Sequence, residues 1–298
     1  MKALYPTAAV FALAALLSVF GTTGARSAET DQALSSTLRQ VYFKWVKAMR
    51  ESDTDLWRKT TARYRQYGIR NLVVSEKKKW PDALFDTMLA PPDVSEMTLA
   101  RVMQKGVTAQ LIYYGKANFG VEIEGGEIPD GLLFLMFVKE KDGWKFNTSR
   151  FMSLAEAEEE SAQAAAGDFA FLDAPDLQPP GTVPPLPKLC PYPELVGYVE
   201  IVSIGYRSSL KVNGHSNHTV IDNVQRGLII GGLKEGVNPI DVEVRALPTN
   251  PGVTDAKRHF EFSVYRKTAS PDEPLKRIYS SGAIKKPGRF KVIVRGGG

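Results

Sequence analysis

Leu34, Leu38, Val41, Tyr42, Trp45, Val46 and Met49 recur at three- and four-residue spacing, with Arg39, Lys44, Lys47 and Arg50 around them. That period predicts an amphipathic first helix. The break ESDTD offers Ser52, Asp53 or Thr54 as the cap of a second helix that starts near Asp55 and carries Leu56, Trp57, Thr60 and Tyr64. A third helical stretch runs from about Ser75 to Leu89, before Pro91 and Pro92, and Ser95 to Gln104 reads as a further turn or short helix. The period then shortens. Val107–Lys116, Phe119–Glu124, Leu132–Glu140 and Trp144–Met152 are rich in β-branched and aromatic residues, with Gly125-Gly126, Pro129-Asp130-Gly131 and Asp142-Gly143 as turn signals between them. KEKDGWK reads as a hairpin tip. LLFLMFV is apolar at every position, so both faces of that strand should be buried. Helices followed by a strand meander is an α+β order.

The pattern breaks over residues 153–190. SLAEAEEESAQAAAG favours helix, and prolines then stand at 175, 179, 180, 184, 185, 187, 191 and 193. Pro-rich sequence tends to an extended, semi-rigid spacer. We therefore place an acidic, then Pro-rich linker at 155–193, between an α+β domain at 29–154 and an all-strand domain at 194–298. Gly197–Ile204, Ser209–Val212, Gly227–Ile230, Ile240–Leu247, Phe260–Arg266, Arg277–Ser280 and Arg289–Arg295 alternate or run apolar, as in a β-sandwich.

Composition adds compartment. Lys2, a run from Ala8 to Phe20 that is apolar but for Ser18, and small residues offering Thr23/Ala25 or Ala25/Ser27 as cleavage pairs make residues 1–28 a signal peptide. No cysteine lies near it, so no lipoprotein anchor is expected. The mature chain is expected to be periplasmic or secreted. Cys190 is the one cysteine, which excludes an internal disulfide framework. The net charge is +5, of which Lys2 and Arg26 belong to the signal, leaving +3. Residues 155–190 hold seven acidic and one basic side chain, and residues 191–298 hold ten and sixteen. A surplus of six without a groove-reading motif does not point to nucleic acid, so no nucleic-acid partner is expected.

Two resemblances attach to particular residues. The first helix with its acidic junction, VYFKWVKAMRESDTDLW, and the closing hairpin LLFLMFVKEKDGWKFNTSRF resemble the NTF2-like fold, the cone shared by ketosteroid isomerase and SnoaL-type proteins. The resemblance implies a curved sheet wrapped by helices, a pocket inside it, and a homodimer through the open face of the sheet. Leu210-Lys-Val-Asn-Gly214 and Gly232-Leu-Lys-Glu-Gly-Val-Asn-Pro-Ile240 resemble the Ig-like and galactose-binding-like sandwich modules attached to bacterial glycosidases. By that resemblance Gly236 and Asn238 supply turn conformations.

Candidate chemistry is sparse. The three histidines, His215, His218 and His259, all lie in the second domain, so the Asp–His pair of some NTF2-like enzymes is absent from the first. A Tyr donor with a carboxylate base would use Tyr42 with Asp53, Glu122 or Glu124, although Asp53 reads better as a helix cap and the glutamates as a solvent face. Tyr42, Trp57, Tyr64 and Tyr113 are the candidate ligand-binding residues, with Trp45 and Phe137 beside them and Arg39, Arg63 or Arg150 as anchors for an anion. Tyr206, Tyr265 and Tyr279 would bind sugar if they formed an exposed row. His215 and His218 lack a third ligand at a known offset, so no metal is expected, and no cofactor. Phosphate loops, nucleophile elbows, zinc-helix motifs and calcium loops are missing from the sequence. Asn147-Thr-Ser149 and Asn217-His-Thr219 match the glycosylation acceptor pattern, which matters only in a eukaryotic secretory route. The reading that follows is a binding or assembly protein with a small ligand, a glycan or an envelope protein as partner. An isomerase, dehydratase or hydrolase in the cone, or a carbohydrate-binding sandwich, are the alternatives.

Overall fold

The computed structural model describes residues 22–87, 90–117, 129–248, 258–284 and 286–297. Glu122, Glu124 and the expected strand at 119–124 lie outside them, as does the expected signal up to residue 21. Among the described residues no helix is long and apolar enough to cross a membrane. The chain is α+β, with antiparallel sheets. It divides into two compact units: residues up to 45 with 92–182, and residues 46–91 with 183–298. Residues 46–91, read above as part of the first domain, thus group with the strand-rich end of the chain.

In the first unit, α1 (Thr22–Glu51) contributes its residues up to Trp45. The sheet is a meander of β1 (Thr98–Lys105), β2 (Thr108–Lys116), β3 (Asp130–Glu140) and β4 (Gly143–Ser153). Ser95–Gln104 is therefore mostly strand, not helix; Leu99 and Val102 pair with Tyr113 and Leu111. Side chains alternate across a sheet, so each face takes every second residue. Phe137 pairs with Phe146, which meets Tyr42 and Trp45 at ring-centroid distances of 5.4 and 4.2 Å. The apolar stripe of α1 therefore covers this face.

Ile112, Leu132 and Phe134 point to the other face, which is also covered. Leu154, Ala164 of α4 (Glu158–Ala165) and Leu172 join them in one buried cluster, with Phe169, Phe171 and Leu177 packed against it. Residues 155–182 are thus not a spacer. Gln110 Nε2 donates to Leu177 O at 2.6 Å, Arg101 donates to Phe169 O at 3.1 Å, and Gly181 N donates to Thr108 Oγ1 at 2.8 Å. The acidic residues of this stretch other than Glu160 sit at exposed positions, while Ala164 and Leu172 turn inward. That arrangement buries β3 on both faces, as its composition required, and occupies the face by which the NTF2-like resemblance would form a dimer.

The second unit opens with α2 (Thr54–Thr60) and α3 (Arg63–Ser75). Asp53 is the cap of α2, its Oδ1 accepting from Asp55 N at 3.0 Å and Leu56 N at 2.9 Å. The second and third helices do not fall where periodicity puts them. Thr61 is extended and stops α2, and Gln66 Nε2 donates to the freed carbonyls of Arg58 and Thr61 at 2.8 and 2.7 Å. The helix after it ends at Ser75, where the third was expected to begin.

Strands β5 (Gly197–Val212), β6 (Ser216–Leu228), β7 (Val237–Ala246), β8 (His259–Lys267), β9 (Leu275–Ser280) and β10 (Gly288–Arg295) form one antiparallel sheet of order β10-β7-β5-β8-β9, with β6 on β5. β5 is shared. Its residues 197–204 pair with β8 and its residues 206–212 with β7, while β6 follows it almost throughout. Between the halves the register shifts at Ser203/Arg207. Gly205 adopts φ +70° there, a left-handed conformation costly for other residues, and Asp222 Oδ1 accepts from its N–H at 2.8 Å. Val199 and Ile201 from the first half, and Leu210 and Val212 from the second, enter a single core with Val242, Phe260, Phe262 and Val264. A turn at Asn213-Gly214 joins β5 to β6, both residues at positive φ.

Asn238 does something other than the expected turn. It lies in β7, fully buried, and its amide works through the side chain. Oδ1 accepts from Lys234 N at 2.8 Å and Asn213 Nδ2 at 2.9 Å; Nδ2 donates to the carbonyls of Lys234 at 2.9 Å and Gly236 at 3.1 Å. The positive φ values of that stretch belong to Gly231 and Gly232 instead of Gly236.

Candidate functional site

The four aromatic candidates do not assemble within either unit. Tyr42 and Tyr113 belong to the first, where both are buried. The Tyr42 hydroxyl donates to Pro92 O at 2.6 Å, and the ring stacks on Trp45. Burial pushes the Tyr113 hydroxyl up, partly offset by the charge of Arg39. Trp57 and Tyr64 belong to the second unit. Trp57 is fully buried edge-on to Trp80 at 6.0 Å, with its indole N–H unpartnered among the described residues, and Tyr64 is half-exposed on α3. Arg150, a candidate anchor, lies over the Phe134 ring at 4.7 Å. Of the candidate bases, Asp53 is committed to capping.

Other singled-out residues have structural tasks. Cys190 is free and buried. Its N–H donates to Asn71 Oδ1 at 3.0 Å while Asn71 Nδ2 donates to Lys188 O at 2.8 Å, so one side chain on α3 holds an extended segment as a neighbouring strand would. Ser75, one turn on, accepts from Gly231 N at 2.8 Å. Tyr206 is buried, Tyr279 packs into the core against Phe262, and Tyr265 faces outward to Glu200 and Arg226; the three form no row. Among the described residues no three of His, Cys, Asp and Glu are grouped to hold a metal.

His215 sits exposed in the turn, whereas His218 lies on β6 with Nε2 2.8 Å from Ser216 Oγ. Its ring rests over Gly227, where any Cβ would come within 2.9 Å of Nδ1. Burial lowers the His218 pKa from its ordinary value of 6.5. The unfolded chain thus binds the proton more readily, and stability is complete above about 6.5 and falls as pH drops through the lowered value. Urea midpoints should decline from pH 7.5 to 5, and His218→Gln should flatten that decline. An unchanged slope in the variant would show that His218 contributes nothing.

The residues that do converge lie on the outer face of β10, β7, β5 and β6. Cross-strand register sets them in ranks: Lys291, Asp241, Lys211 and Asn217 in one, and Arg289, Glu243, Ser209 and Thr219 in the next. Arg245 and Arg207 face each other directly in the third. Two adjoining shallow grooves, of about 420 and 350 Å³, share Ser209 and Glu243 on their floors. The carboxylates are taken up from one side. Glu243 accepts from Arg245 Nε at 2.6 Å and from Arg289 at 2.9 Å, which holds its carboxyl below the usual range, and Lys291 pairs with Asp241 at 3.2 Å. Arg207 and Lys211 make no ion pair or side-chain hydrogen bond among the described residues, and both are exposed. Four positions apart on one strand, they stand about 13 Å from each other with the Ser209 hydroxyl between them.

Directly opposed like charges destabilise a sheet pair. Arg207 opposite Arg245 is such a pair, and no acid lies opposite Arg207 to relieve it. Sequence reasoning missed this group because its alternation is the ordinary signature of a half-buried strand; the convergence is a property of register. A scan against family models gives no match, nor does a search of curated proteins or of solved structures.

Proposed function

We propose that the protein is an exported, non-enzymatic binding or assembly protein whose contact surface is the outer face of β10, β7, β5 and β6. The observation that carries this reading is the unpaired couple Arg207 and Lys211, held on a rigid sheet beside paired charges and hydroxyls. Export rests on the signal read in residues 1–28. An amphipathic helix laid on an antiparallel meander supports an NTF2-like first domain, and one core shared by both halves of β5 supports a sandwich-like second. The buried Tyr42 hydroxyl, turned to a backbone carbonyl, favours packing over acid–base work.

Co-sedimentation of the chain lacking residues 1–28 with isolated bacterial envelope tests the reading. Retention is expected at about 0.05 M salt and release at about 0.5 M, because exposed charges are screened over that range. Retention should drop in Arg207→Ala/Lys211→Ala. No retention at low salt, or retention equal in the double variant, would defeat it.

A further inference from the structure

We infer that this face binds an acidic polysaccharide, a hydroxyl-rich chain carrying carboxylate or sulfate groups at intervals, laid along β5. The inference rests on the binding-protein reading above and names the ligand class of the same surface.

Shape narrows the ligand first. The grooves are open and run on across four strands, whereas sites for small molecules enclose most of the ligand surface. An extended polymer fits an open face. Lining chemistry narrows it again. Phe290 alone among the lining residues is aromatic, and it packs into the core. Stacking platforms for unpaired bases, and the buried aromatic anchors that dominate protein interfaces, are thus missing from this face. Neutral sugar binding through an aromatic row has no surface here either, since Tyr206, Tyr265 and Tyr279 do not share one.

Charge and hydrogen bonding supply the rest. Arg207 presents a planar fork suited to a carboxylate or sulfate, and Lys211 a point charge about 13 Å further on. Ser209 and Thr219 between them, and Asn217 beside Lys211, offer donors and acceptors to sugar hydroxyls. Arg245 faces Arg207 across the strand pair but is taken up by Glu243, which, among the described residues, leaves the Arg207 guanidinium as the one of the two free to seat the anion. Asp241 and Glu243, neutralised by Lys291, Arg289 and Arg245, do not oppose it.

Calorimetric titration of the chain lacking residues 1–28 with polygalacturonate oligomers, heparin oligosaccharides, dextran and duplex DNA provides the test. Binding of at least one acidic sugar polymer is expected, the carboxylate and sulfate arms showing which anion is preferred, with none to dextran. Arg207→Ala/Lys211→Ala removes both charge-assisted contacts and should weaken binding about tenfold or more. Arg226→Ala, a cation of the other half of β6 paired to Glu200, should leave the affinity within about twofold, as surface pairs contribute little. Unchanged melting temperatures in the variants keep the comparison to binding. Preference for DNA over both acidic polymers, or acidic-polymer binding that survives the double substitution, overturns the inference. Envelope retention that depends on Arg207 and Lys211, without affinity for either acidic polymer, overturns the ligand class and leaves the binding reading standing. Loss of both overturns both.

Discussion

Asn238→Ala is expected to destabilise the strand-rich unit by about 3 kcal/mol or more, read as a lower urea midpoint at unchanged slope. The buried amide holds Lys234 at both its N–H and its carbonyl, takes up Gly236 O, and accepts from the side-chain amide of Asn213 in the β5–β6 turn. Removing it takes their partner from the part-buried Lys234 N–H and carbonyl and from Asn213 Nδ2, and each polar group left unsatisfied costs up to about 1–3 kcal/mol. Gly296 N also donates to Gly236 O, at 3.1 Å, so the effect extends to the end of β10.

Asn238→Gly separates this role from the turn role that the spacing suggested. A residue needed for its left-handed backbone tolerates glycine, at a cost of a few tenths of a kcal/mol. A residue needed for its amide loses as much with glycine as with alanine. Asn238→Asp should be no better: it keeps an acceptor, loses the donor, and sets a carboxylate against the carbonyls of Lys234 and Gly236. A midpoint for Asn238→Gly close to that of the wild type would refute the account.

Asn238 also shows where sequence legibility ends. Long periodic elements were readable: the stripe from Leu38 to Trp45, the doubly buried β3, the Asp142-Gly143 hairpin, and most strands of the last hundred residues follow from local physics, whereas β6 (Ser216–Leu228) was expected only as Gly227–Ile230. Helix ends were not, because Thr61 breaks a pattern that periodicity would carry on and the repair comes from the Gln66 side chain eight residues after Arg58. Ser95–Gln104 was misread because its mixed polar and apolar positions do not separate a strand from a helix without β2 beside it. The aromatic candidates were core: large aromatics on an apolar stripe bury too much surface to be left open. The polar face was illegible for another reason. Arg207, Arg245 and Lys211 are unremarkable alone, and only the register of β5 against β7 sets two arginines opposite each other and leaves two cations unpaired.

Leu172→Ala should destabilise the first unit by about 2–5 kcal/mol, the range for truncating a fully buried leucine. Leu189→Ala, in the Pro-rich part of the same expected linker, should change stability by no more than about 0.5 kcal/mol. The expected domain boundaries treat these two leucines alike, since both fall within residues 155–193, which read as a spacer. Their surroundings differ. Leu172 is inaccessible to solvent and packs in the cluster of Ile112, Leu132 and Phe134, whereas Leu189 keeps 52% of its surface exposed. A spacer would give two small effects; a segment folded back onto its sheet gives one large and one small. The large effect should come with loss of near-ultraviolet circular dichroism from the aromatic cluster, because Phe169 and Tyr114, 5.9 Å apart, are held on the same face. Equal, small shifts for both substitutions would return residues 155–182 to the role of a linker and leave the outer face of β3 open to a partner.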